Sequence, residues 1–171
     1  LAMAAVIVFV MTTWKQGRSD LYHRLVDRLP PLTAFVQDVE RHQVTRIPGT
    51  AVFMASASDF LPPSLLHHFK HNKVLHEKII LLTIQVTNRP TVSSRERFRF
   101  EELGQGFHRI VAQFGFMETP NVPKIMRRAV TEGIIADLHT ISYYLGRETL
   151  IVTGDHFMKR WRKGLFAFLS R

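Results

Sequence analysis

The longest uncharged run opens the chain. Residues 1–13, LAMAAVIVFVMTT, precede Trp14, and the first charged side chains are Lys15 and Arg18. Leu21, Tyr22, Leu25, Val26 and Leu29 then fall on one helical stripe with charges between them, which predicts that the helix continues until Pro30 and Pro31 stop it. Leu32, Phe35, Val36 and Val39 repeat the spacing in a second, shorter helix over 32–41. From residue 46 the pattern changes. An apolar run at 50–54 follows Gly49 and reads as a buried strand, and the polar segment 55–59 breaks it. Pro62 and Pro63 suit a helix's first turn, where a missing N–H costs nothing. Leu65, Leu66 and Phe69 give that helix its apolar face, and residues 79–86 return to β-branched strand composition. The stretch 46–86 is thus one βαβ unit, whose right-handed crossover makes the two strands parallel.

The second half continues the alternation. Residues 87–94 form a loop, Phe98 and Phe100 alternate with charges over 97–101, and Gly104-Gln105-Gly106 turns the chain into a strand over 107–116, a hairpin. Asn121 begins a helix over 122–132 that Gly133 ends. Runs at 139–145 and 149–153 read as two more strands around a turn. A closing helix, 155–169, carries Phe157, Trp161, Leu165 and Phe168 on one stripe. The expected fold class is α/β: three layers around a mixed, mainly parallel sheet, preceded by a partial transmembrane helix and short connector helices. The expected division is 1–18 for the end of that helix and its cytoplasmic exit, 19–45 for the connectors and 46–171 for the α/β domain.

The transmembrane expectation comes from order. A thirteen-residue helix reaches about 20 Å against roughly 30 Å of hydrocarbon, so residues 1–13 alone cannot cross a bilayer. A secretory signal places its positive charges before the apolar run, whereas here they follow it. The arrangement fits a helix leaving a membrane, with Trp14 at the interface and Lys15 and Arg18 on the cytoplasmic side.

Composition narrows the chemistry. No cysteine occurs among 171 residues, which excludes disulfides and thiolate zinc sites, and 23 Lys and Arg against 14 Asp and Glu give a formal charge of +9. Such a charge suits nucleic acid, anionic lipid or an acidic partner. The closing helix has Lys159, Arg160, Arg162 and Lys163 away from its apolar stripe and no nucleic-acid reading motif, so we read it as a solvated face with no nucleic-acid partner.

The densest polar cluster is His67, His68, Lys70, His71, Asn72, Lys73 and His76. His67 and His71 stand one helical turn apart, but no further ligand has matching spacing, and no metal is assigned. Cations at a helix C-terminus are explained by capping and the helix dipole. His68, Lys70, His71, Asn72 and Lys73 remain the candidate ligand or subunit contact. The loop after the first strand, 55–61, lacks the glycines of a phosphate cradle. Ser56, Ser58 and Asp59 share a loop far from His108 and His139, so no catalytic residue is named, no cofactor is implied, and the chain is not read as an enzyme.

Several strings resemble the cytoplasmic tail of the KUP (KT/HAK/KUP) family of potassium uptake transporters: TWKQGR at 13–18, RIPGTAVFM at 46–54, PPSLLHHFKHNKVLHEKIILLT at 62–83, GFHRIVAQFGFMETPNVP at 106–123, YYLGRETL at 143–150 and LFAFLSR at 165–171. They occur in the family's order and cover nearly the whole chain. The resemblance implies the carboxy-terminal cytoplasmic domain of a proton-coupled potassium transporter in the bacterial inner membrane. It implies that potassium and protons are handled by membrane helices outside these residues. The role expected here is structural and regulatory: homodimerisation, and sensing of a nucleotide or cyclic dinucleotide. The alternative reading is a soluble nucleotide-binding protein or enzyme with an α/β fold.

Overall fold

The computed structural model describes residues 2–26, 29–55 and 59–146. Residues 30–146 form one compact unit and residues 1–29 belong to a second. In the second, α1 (Ala2–Val26) is a continuous helix. Met3, Val6, Ile7, Val8 and Met11 are exposed along its first half. Thr12 and Thr13 return their hydroxyls to main-chain carbonyls one turn back. Charges from Lys15 onward interrupt its apolar face, and among the described residues no helix is long and apolar enough to cross a membrane.

The larger unit is built on a five-stranded sheet. Its strands are β1 (Arg46–Met54), β2 (Leu75–Thr87), β3 (Phe98–Gly104), β4 (Phe107–Gly115) and β5 (Ile141–Tyr144). The spatial order is β3-β4-β2-β1-β5. β1 runs parallel to β2 and to β5, β2 runs parallel to β4, and only the β3–β4 hairpin is antiparallel. The sheet is therefore mixed and mainly parallel. Helices α2 (Leu32–Arg41) and α3 (Pro63–Asn72) cover one face and α4 (Val122–Thr131) the other.

Each helix forms for a local reason. Pro63 occupies the first turn of α3, where its absent N–H is no loss. The Asn121 side chain accepts a hydrogen bond from the Lys124 N–H at 2.9 Å and caps α4. Strand β2 lies at the centre, and Ile79, Ile80, Leu81 and Leu82 are all essentially inaccessible. Two helix-covered faces require that unbroken apolar run. One core joins Ala51, Phe53, Ile79, Leu81 and Phe107 to Phe35 of α2 and Leu65 of α3. The other joins Val52, Ile80, Leu82 and Ile110 to Ile125 and Met126 of α4.

Strand limits differ from the sequence expectation at several places. β1 starts at Arg46 rather than residue 50, because Arg46 and Ile47 already pair with Leu75 and His76 before a register shift at 47–50. The same pairing starts β2 at Leu75 rather than 79. The run 139–145 shortens to β5, four residues long. Helix α2, expected as a connector, packs Leu32, Phe35, Val36 and Val39 into the sheet's core. The expected strand at 149–153 and helix at 155–169 lie outside the described residues.

Candidate functional site

The last turn of α3 separates its polar residues by direction. Leu65 is fully buried, and His68, Phe69 and Asn72 follow it at the spacing that returns to the same side of a helix. His68 accordingly points inward. Its ring meets Phe53 of β1 edge-on at 5.7 Å, Tyr144 of β5 at 4.8 Å and His76 of β2 at 5.8 Å. Tyr144 in turn lies near His76 at 6.0 Å. Lys70, His71, Asn72 and Lys73 are exposed. The candidate residues are thus split: His68 belongs to an aromatic cluster beneath the helix, and the cations stand outside it. Asn72 links the two groups, its amide donating to His68 Nδ1 at 3.0 Å.

That bond sets the tautomer. With Nδ1 accepting, the proton of neutral His68 sits on Nε2, which is buried without a hydrogen bond of good geometry. Burial pushes the His68 pKa below its ordinary value, and the nearby Val74 carbonyl offsets part of that. His76 is also driven down, first by burial and then by repulsion from a charged His68. Its Nδ1 is buried and unpaired as well. Burial thus disfavours the charged form of both adjacent imidazoles.

The capping reading of the helix end agrees with the geometry. Lys73 takes the left-handed conformation at φ 58° and its N–H closes the helix on the Phe69 carbonyl at 3.0 Å. His67 and His71 stack, ring centroids 6.3 Å apart and planes within 8°. Among the described residues no group of three or more His, Asp or Glu side chains could hold a metal ion.

The sequence pattern marks Arg46 only as the start of a motif, and the structure gives it a specific task. Its guanidinium donates to the His76 carbonyl at 2.8 Å and to the Gln105 carbonyl at 2.7 Å. It also lies over the Phe107 ring at 5.5 Å. The start of β1 is thereby tied to β2 and to the β3–β4 turn. Tyr144 likewise lies outside the sequence-based candidates, although its alternation with the exposed Tyr143 on a strand marks it as the inward one. On α1, Trp14 is half-buried and Lys15 exposed, whereas the Arg18 side chain lies outside the described residues.

At the far side of the sheet, Arg109 of β4 bridges two carboxylates, Asp59 at 3.2 Å and Glu101 at 3.3 Å. Arg97 pairs with Glu118, which also accepts from the N–H groups of Gly115 at 2.8 Å and Val92 at 3.1 Å. These ion pairs position β3 and the loop before it.

Comparison with known proteins gives a consistent result. A family model described as the K+ potassium transporter C-terminal domain matches residues 48–171. The chain is 62% identical over its full length to the probable potassium transport system protein Kup 1 of Syntrophobacter fumaroxidans, covering 26% of that protein. It is 50% identical to Kup 2 of the same organism, covering 27%. It is 44% identical to the probable potassium transport system protein Kup 1 of Geobacter sulfurreducens, again covering 27%. The chain thus spans about a quarter of the length of these curated relatives. No solved structure matches it.

Proposed function

The chain belongs to the K+ potassium transporter C-terminal domain family, and on that premise we propose that it is the cytoplasmic carboxy-terminal part of a proton-coupled potassium uptake transporter. Its role is structural and regulatory, not catalytic, and the ion path lies in membrane helices beyond these residues. The observation that carries this reading is identity along the whole chain to proteins described as potassium transport systems. In this proposal residues 1–18 are the end of the last membrane helix, with Trp14 at the interface and Lys15 and Arg18 on the cytoplasmic side. Residues 19–29 connect it to the α/β domain, whose core takes in α2.

Replacing the corresponding quarter of the Syntrophobacter relative by this chain tests the reading. The chimera should restore growth of potassium-uptake-deficient cells in limiting potassium and take up rubidium. Normal membrane insertion with no uptake would overturn it.

Two finer roles belong to the proposal. The domain holds two copies of the transporter together, and the exposed Lys70, His71, Asn72 and Lys73 bind an anionic regulator such as a nucleotide or cyclic dinucleotide. Calorimetric titration with adenine and guanine nucleotides and cyclic dinucleotides tests the second role. The absence of heat and of any thermal shift with all of them would remove ligand sensing and leave the structural role.

A further inference from the structure

Strand β3 ends one side of the sheet, and among the described residues no strand pairs with its outer edge. The Gln113 N–H donates to the Arg97 carbonyl at 2.8 Å, so Arg97 belongs to the hydrogen-bonded pairs of the β3–β4 ladder. Bonding alternates along an antiparallel ladder. Arg99 and Glu101 therefore also direct their main chain to β4, where they lie opposite Val111 and Arg109. The N–H and C=O groups of Phe98, Phe100 and Glu102 are left pointing outward. Side chains alternate too. Arg99 and Glu101 are exposed on the sheet face that α2 and α3 cover elsewhere, and Phe98 and Phe100 pack half-buried toward α4 with ring centroids 6.3 Å apart.

Exposed edges recruit other strands unless something discourages it, and charges are the usual deterrent. Here the deterrent is selective, because the charges change sign along the strand. We propose that β3 pairs antiparallel with β3 of a second copy of this chain, about a two-fold axis at Phe100, joining two five-stranded sheets into one. The inference rests on the dimer reading above and assigns its surface.

Charge selects the register. Antiparallel pairings that use the outward main-chain groups can be centred on Arg99, Phe100 or Glu101. Centring on Arg99 sets that arginine against its own copy, and centring on Glu101 does the same for the glutamate. Centring on Phe100 places Arg99 opposite Glu101 of the second copy, twice, in the closely spaced non-hydrogen-bonded positions. Glu101 already contacts Arg109, so the row across the joint reads Arg109, Glu101, Arg99 of the copy, alternating in sign. On the opposite face, Phe100 meets Phe100 and extends the aromatic row begun by Phe98.

Sedimentation of the full 171-residue chain in detergent tests the pairing. The unaltered chain should be dimeric. Arg99→Glu or Glu101→Arg alone should raise the dimer dissociation constant by about tenfold or more, because each creates two like-charge pairs. The combined variant restores both pairs in reversed sense and should recover most of the affinity. Circular dichroism confirms that each variant remains folded. The chain has no cysteine, so a mixture of Arg99→Cys and Glu101→Cys chains should form a cross-copy disulfide under oxidation, while each variant alone should not. A dimer indifferent to both reversals, or a combined variant that fails to recover, would overturn this surface and leave the dimer reading standing. A monomeric unaltered chain would overturn both.

Discussion

Tyr144 lies flat on Phe53, ring centroids 4.6 Å apart and planes 13° from parallel. The two residues are directly opposite in the β1–β5 ladder, so the stack fastens a four-residue edge strand to the sheet. Phe53 is wholly buried and also meets His68 edge-on. Phe53→Ala should therefore cost about 3–5 kcal/mol in urea unfolding, the range for emptying a buried aromatic site. Tyr144→Ala should cost less but release β5 locally, read as faster amide exchange at Thr50, which bonds to the Thr140 carbonyl. Unchanged exchange there would show that main-chain pairing alone holds β5.

Acid should loosen the same region. Burial holds the pKa of both His68 and His76 below the ordinary value, so in the mildly acidic range the unfolded chain binds more protons than the folded one. Stability is then fully retained above about pH 6.5 and falls as pH drops through that value, levelling off once the folded pKa values are passed. The double variant His68→Gln, His76→Gln should flatten the melting temperature between about pH 7 and 5. An unchanged slope would place the titration elsewhere, with His108, also shifted down by burial, as the next group to vary.

Glu118 should act at lower pH. Hydrogen bonds from the Gly115 and Val92 N–H groups and the nearby Arg97 charge hold its carboxyl below the usual carboxylate range, against the opposing effect of burial. A depressed carboxylate contributes stability above its unfolded pKa, about 4.3, and loses it as pH falls through the lower folded value. Glu118→Gln should melt lower than the unaltered chain near neutrality, and the gap should close in strong acid. A pH-independent gap would mean that shape, not charge, is what the loop requires.

Two turn glycines should respond differently to one methyl group. At Gly106, φ is +76° and an added Cβ would sit 2.2 Å from the Glu77 carbonyl oxygen. At Gly104, φ is +85° but the space is open. Gly104→Ala should cost about 1 kcal/mol, the price of the left-handed backbone, and Gly106→Ala about 3 kcal/mol or more, since main chain must move as well. Equal costs in urea unfolding would remove the steric argument.

Much of the fold was legible in sequence because local periodicity reports burial. Leu32, Phe35, Val36 and Val39 mark the buried stripe of α2 as read, and residues 79–82 mark a strand covered on both faces. The βαβ unit and the β3–β4 hairpin follow from the same signal. The candidate site was legible only in part. Composition gathers His68, Lys70, His71, Asn72 and Lys73 into one cluster, yet helical geometry sends His68 inward and leaves the cations outside. His68 stands three residues after Leu65, which could have indicated its direction. Nothing local indicated that His68 meets Tyr144, which is 76 residues away.

The sequence by itself determined the element types of the sheet-bearing unit, the parallel crossover and the family, because hydrophobic period, turn residues and motif order are properties of neighbouring residues. Tertiary structure alone decided the strand order, the meeting of His68 with His76 and Tyr144, the reach of Arg46 to Gln105, and that β3 and β5 form the two edges of the sheet. Those depend on contacts between segments far apart in the chain, where packing of whole faces, not the preference of any one segment, selects the partner.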